Sequence, residues 1–156
     1  MSSFYQAYAE MLHDVHSEIL NDLENLPTEA LDWVPNREMN SVSVIIIHLT
    51  GAERYYVSDV IMGESSNRNR DAEFMVQGMS KQDLVLRLNE TESYIRMALE
   101  KLNPEDLHQE RLHPRSGEQV TVAWALLNAL QHSALHAGHI QITSQLWQQH
   151  MQEKGR

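Results

Sequence analysis

The chain has 156 residues, the size of one domain with a single core, and its 42% apolar and 22% charged residues are ordinary for a soluble globular protein. A formal charge of −10 repels phosphate backbones and anionic lipid headgroups, which argues against nucleic acid and membrane surfaces as partners. Cysteine is absent, so disulfides, thiolate ligands and a cysteine nucleophile are excluded together, a usage that fits a reducing cytoplasm.

Met1-Ser2-Ser3-Phe4-Tyr5 has no basic region followed by an apolar run and does not read as a signal peptide. The longest apolar stretch, Val44 to Ile47, falls far short of the ~20 residues of a membrane span.

Four segments carry helical periodicity. The first runs from about Ser3 to Leu26, with Tyr5, Tyr8, Leu12, Val15, Ile19 and Leu23 on one face, and Pro27 stops it. Residues 28–40 form a loop whose Leu31, Trp33 and Val34 cover one end of the bundle. The second helix starts at Asn40 or Ser41, either a good cap, and runs to about Met62 with Gly63 as terminator. Its Val44-Ile45-Ile46-Ile47 run would suit a strand, but the continuation through Leu49, Ala52, Tyr55 and Asp59 favours a helix on length. A polar stretch, residues 64–71, reads as a mobile loop. The third helix spans about Ser80 to Leu102 and ends before Pro104; residues 107–118 form another loop; the fourth runs from about Val120 to Gln149. Without convincing strands, this pattern predicts an all-α four-helix bundle forming a single domain over residues 1–156. Its middle connections are long enough to cross the bundle.

Nine histidines stand out: His13, His16, His48, His108, His113, His132, His136, His139 and His150. His132 and His136 are four apart, one turn apart on the same side of a helix, where two imidazoles can reach one ion. Chance alone gives about (9/156)² × 152 ≈ 0.5 such pairs, so spacing does not separate a metal pair from two surface or hydrogen-bonded histidines. Context does more. Their side of the helix also carries Val122, Ala125, Ala129, Ser133, Ile140 and Trp147, apolar or small residues that face a core and leave room beside the rings. His139 lies within about 60° of both on the helical wheel and could be a competing ligand, an outer partner or a substrate-facing group. His48 sits inside the apolar run of the second helix; it is either a lone core histidine satisfied by a carbonyl or a third member of the cluster. Three neutral histidines and no fourth protein ligand would leave positions for water, as in catalytic sites. His16 shares the core-facing side of the first helix with Leu12 and Ile19 and could line a pocket. His108, His113 and His150 read as solvated.

Two stretches then carry a resemblance. One is Leu31-Asp32-Trp33-Val34-Pro35 followed by Ser41 to Leu49 and Glu53; the other is Thr121-Val122-Ala123-Trp124 followed by His132-Ser133-Ala134-Leu135-His136-Ala137-Gly138-His139-Ile140. In order and spacing they resemble the DinB/YfiT-like family of metal-dependent enzymes over most of the chain. The resemblance implies an up-down-down-up four-helix bundle, often dimeric. It also implies zinc or nickel on His48, His132 and His136, with waters completing the shell. The departure is His139, where the family usually has glutamine.

Three functions compete. In the first, an enzyme, the tripod-held ion activates water for hydrolysis or a low-molecular-weight thiol, as the resemblance to S-transferases and isomerases using bacillithiol or mycothiol implies; the substrate is then a small molecule. Neither route shows an obvious general base, since Glu53 lies about 140° from His48 on the wheel. The second is a non-catalytic metal-binding or stress-associated bundle, and the third a plain bundle without metal. The side of the fourth helix opposite the histidines holds Trp124, Leu127, Ala134, Leu135, Gly138 and Ile142. A helix apolar on nearly all sides predicts a homodimer packed partly through this face, with burial between the first and third helices as the alternative.

Overall fold

The computed structural model describes residues 1–155. Four long helices make up most of it: α1 (Ser3–Asn25), α2 (Val42–Arg54, continued as a π-helix over Tyr55–Met62), α4 (Lys81–Glu100) and α5 (Val122–Lys154). A four-residue helix, α3 (Arg70–Glu73), interrupts the connection between α2 and α4. The helix boundaries follow local chemistry. Ser41 Oγ accepts from the Val44 N–H at 3.3 Å, and the second helix ends at Gly63 with φ of +68°, a conformation a side chain would disfavour. Ser80 and Asp83 form a reciprocal capping box, and Thr121 Oγ1 accepts from the Trp124 N–H at 3.1 Å.

Contacts between helices give their directions. Tyr5 Oη donates to the Asn103 carbonyl and Lys81 Nζ to the Glu24 carbonyl, so α1 and α4 are antiparallel. Arg87 Nε donates to Thr50 Oγ1, and Arg54 lies over the Tyr94 ring one to two turns further along both helices, so α2 and α4 run parallel. His48 packs against His132 and His136 while Tyr56 meets Trp124, so α2 and α5 are antiparallel. The order is up-down-down-up, and the chain between α2 and α4 must return along the length of the bundle.

Two expectations need correction. Residues 107–118 are not all loop. Strands β1 (Glu110–Leu112) and β2 (Gln119–Thr121) pair antiparallel, and the turn between them uses Gly117 at φ of +74°. Three-residue strands are too short to show alternation in a sequence. The fourth helix consequently starts at Val122 and continues to Lys154. Residues 64–71 are likewise not all loop, since α3 begins at Arg70, and Ser66 and Arg68 hydrogen-bond to Asp59 and Glu73.

The apolar core falls into two clusters. One gathers Tyr5, Leu12, Val57, Ile95 and Leu126; the other gathers Ile19, Leu49, Leu88, Ala137 and Ile140. On each long helix the switch between clusters is marked by a polar residue: His16 on α1, Glu53 on α2, Glu92 on α4 and Ser133 on α5. These four meet. His16 Nε2–H donates to both Glu53 oxygens at 3.0 and 3.1 Å, Ser133 Oγ donates to Glu53 at 2.6 Å, and His16 Nδ1 lies 3.5 Å from Glu92. His16, Glu53 and Ser133 are at most 1% exposed. Burial opposes charge on His16, but the attraction and hydrogen bonds of Glu53 and Glu92 outweigh it and raise its pKa.

Because the folded pKa of His16 is raised, the stability it contributes is full below the unfolded value of ~6.5 and is lost as pH rises through the folded value. Urea unfolding is expected to show declining stability above that pH, and the decline should flatten in His16→Gln. Glu53→Ala, which strands the buried imidazole, is expected to cost about 3–5 kcal/mol in the same measurement.

Candidate metal centre

Helices α2 and α5 carry the three histidines to one point. One ring nitrogen from each of His48, His132 and His136 lies within 4.8 Å of the others, and the rings of His132 and His136 stand 5.0 and 5.1 Å from that of His48. The Nε2 atoms of His132 and His136 are 3.2 Å apart. Two nitrogens bound to a tetrahedral zinc at ~2.0–2.1 Å stand roughly 3.3 Å apart, so the pair already has the separation an ion requires.

The outer nitrogens fix which atoms face that point. His48 Nδ1–H donates to Glu73 Oε2 at 2.9 Å, leaving Nε2 as the free lone pair. His136 Nδ1 meets His139 Nδ1 at 3.2 Å, which leaves His136 Nε2 directed at His132. His132 Nδ1 is buried without a hydrogen-bond partner. Burial, reinforced by His48 and Arg68, lowers the pKa of His132 to about 4; burial and the surrounding histidines lower that of His136 to about 3. Both rings are therefore neutral at pH 7, the form a metal requires. The donor set fits a divalent ion held by imidazole, with protein on one side and half-exposed rings on the other.

Glu73 belongs to α3 and reaches His48 because Arg68 grips it. Arg68 Nε donates to Oε1 at 2.6 Å and Nη2 to Oε2 at 2.8 Å. Burial opposes the Glu73 carboxylate, yet the hydrogen bonds and charge of Arg68 and His48 outweigh it and lower the Glu73 pKa. The pair lies against Gly51, one turn from His48, where a Cβ would overlap Glu73 Oε1. Phe74, next in the chain, stacks on the His48 ring at 4.9 Å and lies beneath Arg70. The sequence reading overlooked Gly51, Arg68, Glu73 and Phe74. Arg68, Glu73 and Phe74 sit in a stretch without periodicity, whose local signal is the Asn69 side chain capping α3, and Gly51 is one glycine inside α2.

The remaining sequence candidates sort as follows. His139 is exposed and lies outside the three-ring cluster, touching it through His136 alone. His16 is a core residue bonded to Glu53 and makes no hydrogen bond to the cluster, so the pocket-lining reading gives way to the buried layer. Glu53 likewise faces His16 and Ser133. His108 is exposed as expected, but His113 and His150 are not simply solvated. His113 packs against Tyr55, Tyr56 and Trp124, and His150 against Trp33 and Trp147. Trp33 covers the bundle end through its contact with Trp147, Leu31 is buried, and Val34 is exposed. A cavity of about 310 Å³ bounded by Tyr55, Arg68, Arg70 and Arg115 shares Arg68 with the clamp.

An up-down-down-up bundle with this histidine cluster is a four-helix bundle of the DinB/YfiT-like type. Several solved structures share the fold. A conserved protein from Enterococcus faecalis superposes with a TM-score of 0.76 at 16% identity, covering 94% of this chain and 98% of its own. YfiT from Bacillus subtilis, described as a probable metal-dependent hydrolase with an unusual four-helix bundle topology, gives 0.75 at 18% identity, covering 93% and 89%. A DinB-like protein from Bacillus cereus gives 0.74 at 13% identity, covering 90% of each chain. By sequence, residues 1–153 match the family described as Protein of unknown function (DUF1572), and the chain belongs to that family. No curated protein shows a significant match.

Protein purified without a nickel column and reloaded with zinc is expected to hold one ion per chain by elemental analysis, and His132→Ala to hold none. Glu73→Gln is expected to weaken zinc binding by about 10–100-fold in a chelator competition, with Gly51→Ala acting in the same direction by displacing the carboxylate. The depressed histidine pKa values predict that the metal-free protein keeps this part of its stability above ~6.5 and loses it as pH falls towards 4, measurable by thermal melts.

Proposed function

We propose that this protein is a metal-dependent enzyme that acts on a small molecule, with zinc or nickel held by His48, His132 and His136. The observation that carries the reading is the convergence of three imidazoles, each offering one ring nitrogen to a single site, with no fourth protein ligand among the described residues. When bound there, a divalent ion supplies a Lewis acid with open positions, able to lower the pKa of water or to bind a low-molecular-weight thiol as thiolate. The residues around it divide the remaining work. Glu73 holds His48 in the tautomer that leaves Nε2 free, and His139 Nδ1 lies 3.2 Å from His136 Nδ1, on the side of that ring away from His132. Arg68 and Arg70 bring positive charge beside His132, and with Arg115, Asp59 and Asp71 they bound a cavity of mixed charge that suits a polar substrate. Tyr55 Oη accepts from the Arg115 N–H at 3.1 Å, and burial chiefly raises its pKa, so it remains a protonated hydroxyl at neutral pH.

Hydrolysis and S-transfer remain the two chemistries. The hydrolase reading draws on the printed description of B. subtilis YfiT; the thiol reading draws on the family resemblance and requires an external thiol, because the chain has no cysteine. The alternative is a metal-binding or stress-associated bundle without turnover. Assays of zinc- and nickel-loaded protein against ester and amide panels, and against electrophiles with bacillithiol or mycothiol, separate the three. Turnover is expected to fall by at least about 10³-fold in His132→Ala, in line with removal of a catalytic metal. Metal-loaded protein inactive in every arm would leave the non-catalytic reading.

We further propose a homodimer and a cytoplasmic location. Trp124, Leu127, Leu135 and Ile142 form one stripe along α5 and are 45%, 53%, 58% and 51% exposed, so helices of the same chain do not cover them. Sedimentation at micromolar concentration is expected to give a dimer, and Leu135→Glu a monomer. A wild-type monomer under those conditions would remove the dimer.

A further inference from the structure

A second cavity, of about 430 Å³, lies behind the Glu73–Arg68 pair, between α2 and α4 and under the segment from residue 66 to residue 76. None of the three clustered histidines lines it. Its volume is in the range of small-molecule sites.

The charge around this cavity does not cancel. Arg54, Arg68 and Arg87 line it, with Glu73 and Glu90. Glu73 is fully engaged by Arg68 and His48. Arg54 rests over the Tyr94 ring at 3.6 Å, and Arg87 gives only Nε, to Thr50 Oγ1 at 3.2 Å. Among the described residues neither forms an ion pair, although Glu90 borders the same space. In a chain with 22 acidic and 12 basic side chains, two half-buried arginines left without a carboxylate beside one cavity are against the odds. Guanidinium forks match carboxylate and phosphate oxygens, and here the free N–H groups of Arg54 and Arg87 come from two parallel helices.

Two residues of the segment before α3 also belong to the cavity wall. Ser66 Oγ is shut off from solvent and has no hydrogen-bond partner, and Ser66 lines the cavity. Asn67, also in the lining, is the only non-glycine residue with positive φ among those described, at +53°. Ile47, Ala72 and Val76 supply apolar wall beside these polar groups.

We propose that this cavity binds an organic anion, a carboxylate or phosphate ester with a short apolar body, through Arg54 and Arg87. The site is separate from the histidine cluster and does not depend on a metal being bound there.

The test is calorimetric titration of the full-length protein, metal-loaded and metal-free, with hexanoate and with hexyl phosphate. Inorganic phosphate and sodium chloride at matched ionic strength serve as controls. One-to-one binding of hexanoate, hexyl phosphate or both is expected, at least about tenfold tighter than inorganic phosphate; which probe binds identifies the head group. Arg54→Gln and Arg87→Gln are each expected to weaken it by about tenfold or more, the effect of losing a charge-assisted hydrogen bond, whereas Arg37→Gln on the exposed 36–38 turn leaves it unchanged. Circular dichroism and metal content of each variant separate loss of the site from loss of the fold. Absence of saturable binding, binding indifferent to both substitutions, or inorganic phosphate binding as tightly as the organic probes would each overturn the proposal.

Discussion

The Glu73 carboxylate joins three parts of the molecule. It accepts from His48 Nδ1–H and so sets the free face of that ring, it is gripped by Arg68, and it lies on the bare backbone of Gly51. A buried carboxylate is costly unless it is paired and hydrogen-bonded, and here both oxygens are used. The consequence reaches beyond one residue. The same contacts fasten the returning chain between α2 and α4 to the side of α2, so the topology and the histidine cluster share an anchor.

The buried layer of His16, Glu53, Glu92 and Ser133 works differently. Each long helix contributes one polar residue, and Glu53 finds its partners His16 and Ser133 where α1, α2 and α5 stand at this relative height. Apolar contacts alone would tolerate a helix sliding by a turn; a carboxylate with no other partner would not. Because Ser133 directly follows His132, the layer also sets how far along α5 the cluster sits opposite His48.

How much was legible in the sequence follows from the range of the interactions. Helix positions, the caps at Ser41 and Ser80 and the terminator at Gly63 are local, and periodicity with capping chemistry is enough to read them, whereas the Thr121 cap was hidden by the short strand that precedes it. The pairing of His132 with His136 is local too. His48 could be placed on an apolar face but not opposite the other two without knowing that α2 and α5 are antiparallel; the family resemblance, not the wheel, supplied that. Arg68 and Glu73 were invisible because α3, the one helical turn that brings them together, is too short to show periodicity. His113 was misread for a related reason. Its partners Tyr55 and Trp124 are distant in sequence, and only the β-hairpin brings them together.

The π-helical run from Tyr55 to Met62 has a bearing on the history of the fold. Wide turns of this kind are rare, and they are what a regular helix becomes when it accommodates an extra residue without moving either end. Here the two ends are pinned, by the Glu53 layer on one side and by left-handed Gly63 on the other. A lineage that lost one residue from this stretch could return to ordinary α-helical winding while keeping both anchors. The tyrosines at its start would then be re-aimed relative to the hairpin and to the arginine-bounded cavity, so a length change in this helix is a route by which related chains could alter what they admit while leaving the histidines where they are.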